Sequence, residues 1–506
     1  MDIFSNMALG LGVALSLQGL FFCFVGVSLG TLVGVLPGLG PMASIAMLLP
    51  LTYHVSPTFA LIMLAGIYYG AAYGGRITSI LLNLAGEASS AVTLLDGYPM
   101  ARQGRAGVAL FITAIASFAG GIVGMVLLML FSQPLAHLAI RFSAQEYFSL
   151  MLLGLVAAAL LAGEAPFRAL AMVVLGLVLG LVGIDLNSGT ARFTFGVPAL
   201  YDGLSLVAIA VGLFGLPEVM ASAGSKEQAR PAPGTITMRS LMPTPSDWKQ
   251  ATLPMLRGSA IGSFFGALPG TGGVTASFMS YAVEKRIADD PSRFGKGAIE
   301  GVASPEAANN AAVQTSFIPT LSLGIPGDPV MALMLGVMMV HNILPGPNFI
   351  AGQPELFWGL VMSFVIGNVM LVILNVPMIG LWVRLLLVPY RVLFPIIIAL
   401  VCIGVYSVMN QAMDLFVLIG FALLGYALKL LRFQAAPLLL GLVLGPMLEE
   451  NFRRAMVIAG GDFSSFFTRP LSAAFLVCIA LILAWTIYSR IRGGRALDEA
   501  AANEAG

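Results

Sequence analysis

Gly30–Gly40 reads GTLVGVLPGLG, and Gly262–Gly272 reads GSFFGALPGTG. Both carry G-x-L-P-G-x-G inside long apolar text, 232 residues apart. Proline ends or kinks a helix, and glycine lets the chain turn tightly. Irregular backbone at membrane depth is tolerated only where it is buried in protein or lines a wet cavity. A helix-breaking phrase written twice into such text predicts two interrupted membrane helices at corresponding points of a duplicated chain.

Composition supports the membrane setting. The 506 residues are 58% hydrophobic and 10% charged, with a mean hydropathy of +0.94. A soluble chain carries about 25% charged residues. Apolar runs such as Ala106–Phe131, Leu170–Gly183 and Leu471–Ile487 suit a hydrocarbon core that takes about 20 helical residues to cross. The expected fold class is all-α: a polytopic membrane protein with about 10–12 transmembrane helices plus re-entrant helical hairpins, in two inverted repeats. The net charge of +1 argues against a nucleic-acid partner. Cys23, Cys402 and Cys478 are dispersed, as are His54, His137 and His341, so no metal site is expected. No Lys or Arg precedes Arg76, so the first apolar segment reads as part of the mature chain.

A polar, proline-bearing stretch from Gly224 to Arg257 separates the halves. Its Lys226, Arg230, Arg239, Lys249 and Arg257 place it in the cytoplasm. Residues 1–223 then form a first membrane repeat, 224–257 a cytoplasmic linker, 258–489 a second repeat and 490–506 a cytoplasmic tail. The tail carries Arg490, Arg492 and Arg495, and its Ala/Glu/Asp end reads as disordered. A second phrase also recurs, as ILLNLAGEASS (Ile80–Ser90) and PTLSLGIPGDP (Pro319–Pro329); Gly86 aligns with Gly327 at an offset of 241. Two phrases in one order at similar spacing point to duplication. Charge bias gives its sense. Met1–Gly75 holds no Lys or Arg, whereas Arg257, Lys285, Arg286, Arg293 and Lys296 flank the second L-P-G. Arg102 and Arg105 follow the first GEASS, while HNILPGPNF after its counterpart has no Lys or Arg. Opposite bias in corresponding places is what inversion produces. Basic residues on both sides of Gly258–Val283 predict a re-entrant hairpin whose tip is Pro269–Gly270.

A broken helix exposes N–H groups and a partial positive charge at the start of the following half-helix, which suits a carboxylate. Freed carbonyls suit a small cation. The candidate substrate-binding residues are Pro37, Gly38, Leu39 and Gly40 in the first tip, and Pro269, Gly270, Thr271 and Gly272 in the second. Asn83, Gly86, Ser89, Asn309, Asn310 and Gly327 join them from the neighbouring phrases. Arg76 is read either as a partner for a substrate carboxylate or as a side chain reaching the interface. Glu87, Asp328 and Glu306 are candidates to hold a coupling cation, with helix capping the plainer role. The plain alternative for L-P-G is an ordinary kink. Catalysis is not expected: GALPGTGG lacks the G-K-[ST] of a phosphate loop, and GIPGD is not the G-x-G-D of an intramembrane aspartyl protease.

These residues resemble the large membrane subunit (TctA type) of the tripartite tricarboxylate transporter family. The matching text is GTLVGVLPGLGP, YYGAAYGGRITSILLN, LLDGYPMARQG, GALPGTGG, SPEAANNAAVQTSFIPTLSLGIPGDP, GLVLGPMLEENFRR and GGDFSSFFTRP, running from Gly30 to Pro470. The resemblance implies the permease of a binding-protein-dependent secondary transporter in a bacterial inner membrane. It implies import of a di- or tricarboxylate such as citrate, driven by a Na⁺ or H⁺ gradient, with no other cofactor. Its implied partners are a small four-helix membrane subunit and a periplasmic solute-binding protein. The family's L-P-G-x-G falls on Pro37, Gly38 and Gly40 and on Pro269, Gly270 and Gly272. Its N-x-P-G falls on Asn83, Ala85 and Gly86, without the proline, and G-I-P-G on Gly324–Gly327. The following position, often small and polar in the family, is Asp328. A passive anion channel or a non-transporting membrane scaffold is the rival expectation.

Overall fold

In hydrocarbon, backbone donors and acceptors must find partners within the protein, and a single segment achieves this only as a helix. The computed structural model describes residues 3–36, 38–161, 165–185, 188–223, 239–385 and 390–504. Helix takes up 79% of it; among the described residues the only sheet is a hairpin of Gly183–Ile184 with Ala191–Arg192. The first half comprises α1 (Ile3–Ala14), α2 (Leu17–Gly34), α3 (Pro41–Leu48), α4 (Pro57–Leu82), α5 (Ser90–Met100), α6 (Ala106–Ala139), α7 (Ala144–Leu161), α8 (Pro166–Leu179), α9 (Leu206–Ala210) and α10 (Leu216–Ala223). The second comprises α11 (Pro245–Ala267), α12 (Gly272–Ile287), α13 (Glu300–Thr315), α14 (Phe317–Leu323), α15 (Pro329–Val340), α16 (Pro347–Gly352) and α17 (Pro354–Asn375). It ends with α18 (Ile379–Leu385), α19 (Tyr390–Met409), α20 (Ala412–Leu430), α21 (Ala436–Ile458), α22 (Ser465–Thr468) and α23 (Pro470–Glu504). Six helices among the described residues are long and apolar enough to cross a membrane, and shorter apolar helices accompany them. The fold is an all-α polytopic membrane protein.

Two boundaries differ from expectation. Residues 224–238 of the expected linker lie outside the described residues, but its end is already helix. Thr244 and Asp247 form a capping box and Pro245 takes the first helical position, so α11 starts well before Arg257. The tail expected to be disordered continues α23 through Glu504, because its alanines and glutamates favour helix wherever a preceding turn nucleates it; residues 505–506 lie outside the described residues.

The duplication is written into the packing. Gly26, Gly30 and Gly34 bring α2 so close to α4 that a Cβ on any of them would overlap the backbone of Met63, Ile67 and Ala71 in turn. Gly258, Gly262 and Gly266 bring α11 onto α13 in the same way, against Ser304, Ala308 and Ala312. Every first member moves by 232 and every second member by 241, the offsets of the two sequence phrases. Membrane helices gain little from the hydrophobic effect against one another, so close approach through small residues supplies the van der Waals contact that joins them.

α11 also forms a hairpin with α12. Arg257 on α11 bonds Glu284 on α12 through two contacts, at 2.7 and 2.6 Å. From there to the tip, the arms climb about 15 Å in α11 and about 18 Å in α12 at 1.5 Å per residue. That rise reaches the middle of a hydrocarbon layer about 30 Å thick. Beside the clamp, Asp96 of α5 is fully buried and accepts the N–H groups of Gly295, Gly297 and Ala298 at 2.8–2.9 Å and the Tyr281 hydroxyl at 2.9 Å. One half-one carboxylate thereby fixes the basic loop that follows the half-two hairpin.

Gly262→Val should overpack the α11–α13 contact and lower stability by about 1–3 kcal/mol, read as a lower thermal unfolding midpoint in detergent. Gly420→Val on α20, where no neighbouring atom lies within reach of a Cβ, should leave the midpoint nearly unchanged.

Candidate functional site

Each tip is a glycine turn. Gly38 and Gly270 take φ of 83° and 82°, a region closed to most side chains; Pro37 between Leu36 and Gly38 lies outside the described residues. The second phrases break their helices in the same manner. α4 ends on Asn83 with φ 59°, and α14 ends on Gly324 with φ 71°. The chain then folds back so that Gly86 lies against Gly75, and Gly327 against Ser316. Ser79 Oγ accepts the Gly86 N–H at 3.3 Å, and Thr320 Oγ1 accepts the Gly327 N–H at 3.2 Å. These pairs again differ by 241. The Gly270 N–H donates to the Gly327 carbonyl at 2.8 Å, tying tip to second phrase in half two.

An acid faces each tip. A Cβ on Gly40 would lie 3.3 Å from Glu87 Cβ, and one on Gly272 would lie 3.0 Å from Asp328 Cβ. Each acid is held by the other half: Asn309 Nδ2 donates to Glu87 Oε1 at 3.1 Å, and Tyr68 Oη donates to Asp328 Oδ2 at 2.7 Å. Tyr68 and Asn309 are themselves 241 apart, so the bonds are exchanged across an approximate two-fold. Asn309 Oδ1 sits where a Cβ on Gly273 would be. Gly40, Glu87, Asn309 and Gly273 therefore form one chain of contacts between the first turns of α3 and α12. Members of both tips and both second phrases, Gly40, Glu87, Gly272 and Asp328, come together here with Asn309.

The halves are not in the same state. Asn83 and Leu84 are exposed and Glu87 is half-buried, whereas Gly324 to Asp328 are all buried. Helix α7 covers the latter, with Gly154 against Ile325 and Ala158 against Gly270. Side-chain capping differs too. α3, α5 and α12 begin without a side-chain cap bond; the Ser89 hydroxyl goes to Glu87 Oε1 at 2.6 Å instead. The Thr271 hydroxyl turns back to the carbonyls of Phe265 and Leu268. Only α15 among these four is capped, by Asp328 Oδ1 on the Met331 N–H at 2.8 Å.

Arg76 does not reach the surface. It is 1% exposed, its guanidinium lies 4.2 Å from the centre of the Tyr73 ring, and it donates to the Thr113 carbonyl at 3.1 Å and Ser117 Oγ at 2.9 Å. Ser117 in turn donates to Glu306 Oε2 at 3.2 Å, and Thr93 to Glu306 Oε1 at 2.7 Å. Asn310 bonds the Glu306 carbonyl at 3.1 Å. Arg76 and Glu306 thus compensate each other through Ser117, one helical turn from Asn309. The position 241 after Arg76 is Phe317, whose ring packs 4.9 Å from Phe364, so the charged cluster occurs once. A cavity of ≈ 350 Å³ lies elsewhere, lined by Asn6, His137, Pro347 and Trp358 among others, and includes none of the candidates.

Sequence reasoning missed Tyr68 and Asp96. Tyr68 was legible only through the offset of 241, which makes it the counterpart of Asn309. Removing one member of the buried pair strands the other, so Arg76→Met or Glu306→Gln alone should each cost about 3–5 kcal/mol. The double variant should unfold at a higher temperature than either single one.

A family profile described as the tripartite tricarboxylate transporter TctA family matches residues 20–440. An uncharacterised 52.8 kDa protein of Agrobacterium vitis, from the TAR-I ttuC' 3' region, is 50% identical over 494 residues, covering 97% of this chain and 98% of its own length. A second Agrobacterium vitis protein, from the TAR-II ttuC' 3' region, is 54% identical over 233 residues, covering 45% of this chain and 96% of its own. No solved structure matches the chain. With interrupted helices, tip-facing acids and a match over most of its length, the chain belongs to the tripartite tricarboxylate transporter TctA family, as a multi-pass membrane subunit of a transport system with partner subunits.

Proposed function

We propose that this subunit is the permease that carries a di- or tricarboxylate across a bacterial inner membrane, together with a cation that moves down its gradient. The observation that carries the reading is the exchange of Asn309–Glu87 and Tyr68–Asp328 bonds between two helix breaks. That exchange brings the uncapped starts of α3 and α12 to one place. Such starts present N–H donors and a partial positive charge suited to carboxylates. Three acids, Glu87, Asp328 and Glu306, stand near one base, Arg76. Carrying an anion through such a low-dielectric site is costly, so a companion Na⁺ or H⁺ at Glu87 or at freed carbonyls lowers the cost of transfer.

The halves take unequal states about this site, with the half-two phrase covered by α7 and the half-one phrase exposed. An inverted pair of repeats exchanging those states is a means of alternating access. A periplasmic solute-binding protein delivers the substrate and a small four-helix membrane subunit completes the complex.

Uptake by proteoliposomes containing the complete complex tests this. Gly38→Leu and Gly270→Leu should reduce carboxylate accumulation to background without loss of protein, because a side chain forces each tip out of its left-handed turn. Accumulation against the substrate gradient should require the cation gradient. Accumulation against the substrate gradient without the cation gradient, or wild-type rates in both variants, would contradict the proposal.

A further inference from the structure

We infer that Asp96 is a positioning residue for transport, which sets the register in which Glu87 and the first turn of α12 meet across Asn309. This rests on the seat proposed above and names what fixes its geometry. Asp96 touches neither tip. Its Oδ1 accepts the N–H groups of Gly295, Gly297 and Ala298, and its Oδ2 accepts the Tyr281 hydroxyl. A Cβ on Gly301 would overlap Oδ2. One side chain of α5 therefore grips α12 near its end, the loop that follows, and the first turn of α13.

These three helices run from that grip to the site. α12 and α13 are antiparallel and keep one register along their contact. Tyr281 lies against Gly301 at the base, the Ser277 hydroxyl donates to the Pro305 carbonyl at 3.2 Å midway, and Asn309 stands against Gly273 at the top. Base and top are 8 residues apart in both helices, a rise of about 12 Å. α5 climbs beside them, with Asp96 at the base, Thr93 bonded to Glu306 at 2.7 Å midway, and Glu87, bonded to Asn309 at 3.1 Å, just before its first turn. Helices curve only gently over such lengths, so a displacement at the base appears at the top. The three far ends are Glu87, Gly273 and Asn309, which form the chain of contacts at the site. The position 241 after Asp96 is Val337, an apolar residue buried in α15. The grip therefore occurs once, at the end of the molecule flanked by Arg102 and Lys296.

Two readouts separate positioning from stability alone. Bridging of Glu87→Cys to Asn309→Cys by a short bifunctional thiol reagent, in a chain lacking Cys23, Cys402 and Cys478, reports the register. Uptake by proteoliposomes of the complete complex, with succinate and citrate as probes, gives KM and turnover. Asp96→Ala should cut the bridging yield several-fold and raise KM about tenfold, with turnover per folded transporter nearly unchanged. Asp96→Asn keeps an oxygen facing the three N–H groups and should restore most of both. Tyr281→Phe removes the bond to Oδ2 alone and should raise KM by a smaller factor; it decides the question where Asp96→Ala does not fold. Arg257→Met loosens the base of the α11–α12 hairpin without touching α5, so it should lower the unfolding midpoint and keep wild-type bridging and KM. Wild-type bridging and KM in both Asp96→Ala and Tyr281→Phe, or the same rise of KM in Arg257→Met, overturns this inference and leaves the seat standing. Loss of bridging with an unchanged KM overturns the seat instead. Where the wild type transports neither probe, the seat falls and the bridging yield alone decides the register.

Discussion

A helix broken inside a bilayer leaves peptide groups that water cannot reach, and each must find a partner in the protein or in a ligand. That constraint organises this molecule. Its chain breaks at Gly38 and Gly270, and again at Asn83 and Gly324, all with left-handed backbone. Some of the freed groups are met at once. Ser79 and Thr320 take the N–H groups of Gly86 and Gly327, the Gly327 carbonyl takes the Gly270 N–H, and Asp328 caps α15. The starts of α3, α5 and α12 receive no side-chain cap. The proposed carboxylate seat is built on that remainder.

Close packing makes the breaks rigid. α2 lies on α4, and α11 on α13, through glycines spaced four residues apart, so the backbones touch where side chains would hold them off. The tips are thus carried on paired rods rather than on free loops. Ion pairs stabilise the hairpin base at Arg257–Glu284, and the buried Asp96 fixes the adjoining loop. Arg76 and Glu306 supply a balanced pair in the centre. It stiffens the junction of α4, α6 and α13 and leaves Glu87 as the accessible acid.

Much of this was legible in the sequence because duplication left two copies of each phrase at fixed offsets. The all-α membrane class, the helix breaks and the α11–α12 hairpin follow from short local patterns. Glycines four residues apart in GVSLGTLVG, GIYYGAAYG and RGSAIGSFFG are the sequence signal of the close helix contacts. Three features were not legible. Tyr68 meets Asp328 across 260 residues, and Arg76 meets Glu306 through Ser117, three helices with no shared local pattern. The start of α11 at Pro245 was hidden because a capping box in polar, proline-bearing text looks like a loop until the helix it starts is seen.

The central claim is that Glu87 of one half and Asn309 of the other meet at a single site. Cross-linking Glu87→Cys to Asn309→Cys with a short bifunctional thiol reagent tests it most directly, in membranes and in a background lacking Cys23, Cys402 and Cys478. Ser149→Cys with Ser472→Cys, whose hydroxyl oxygens lie 2.8 Å apart in a different part of the protein, serves as the positive control. The account predicts efficient bridging of both pairs. Bridging of the control pair with none between residues 87 and 309 would contradict it.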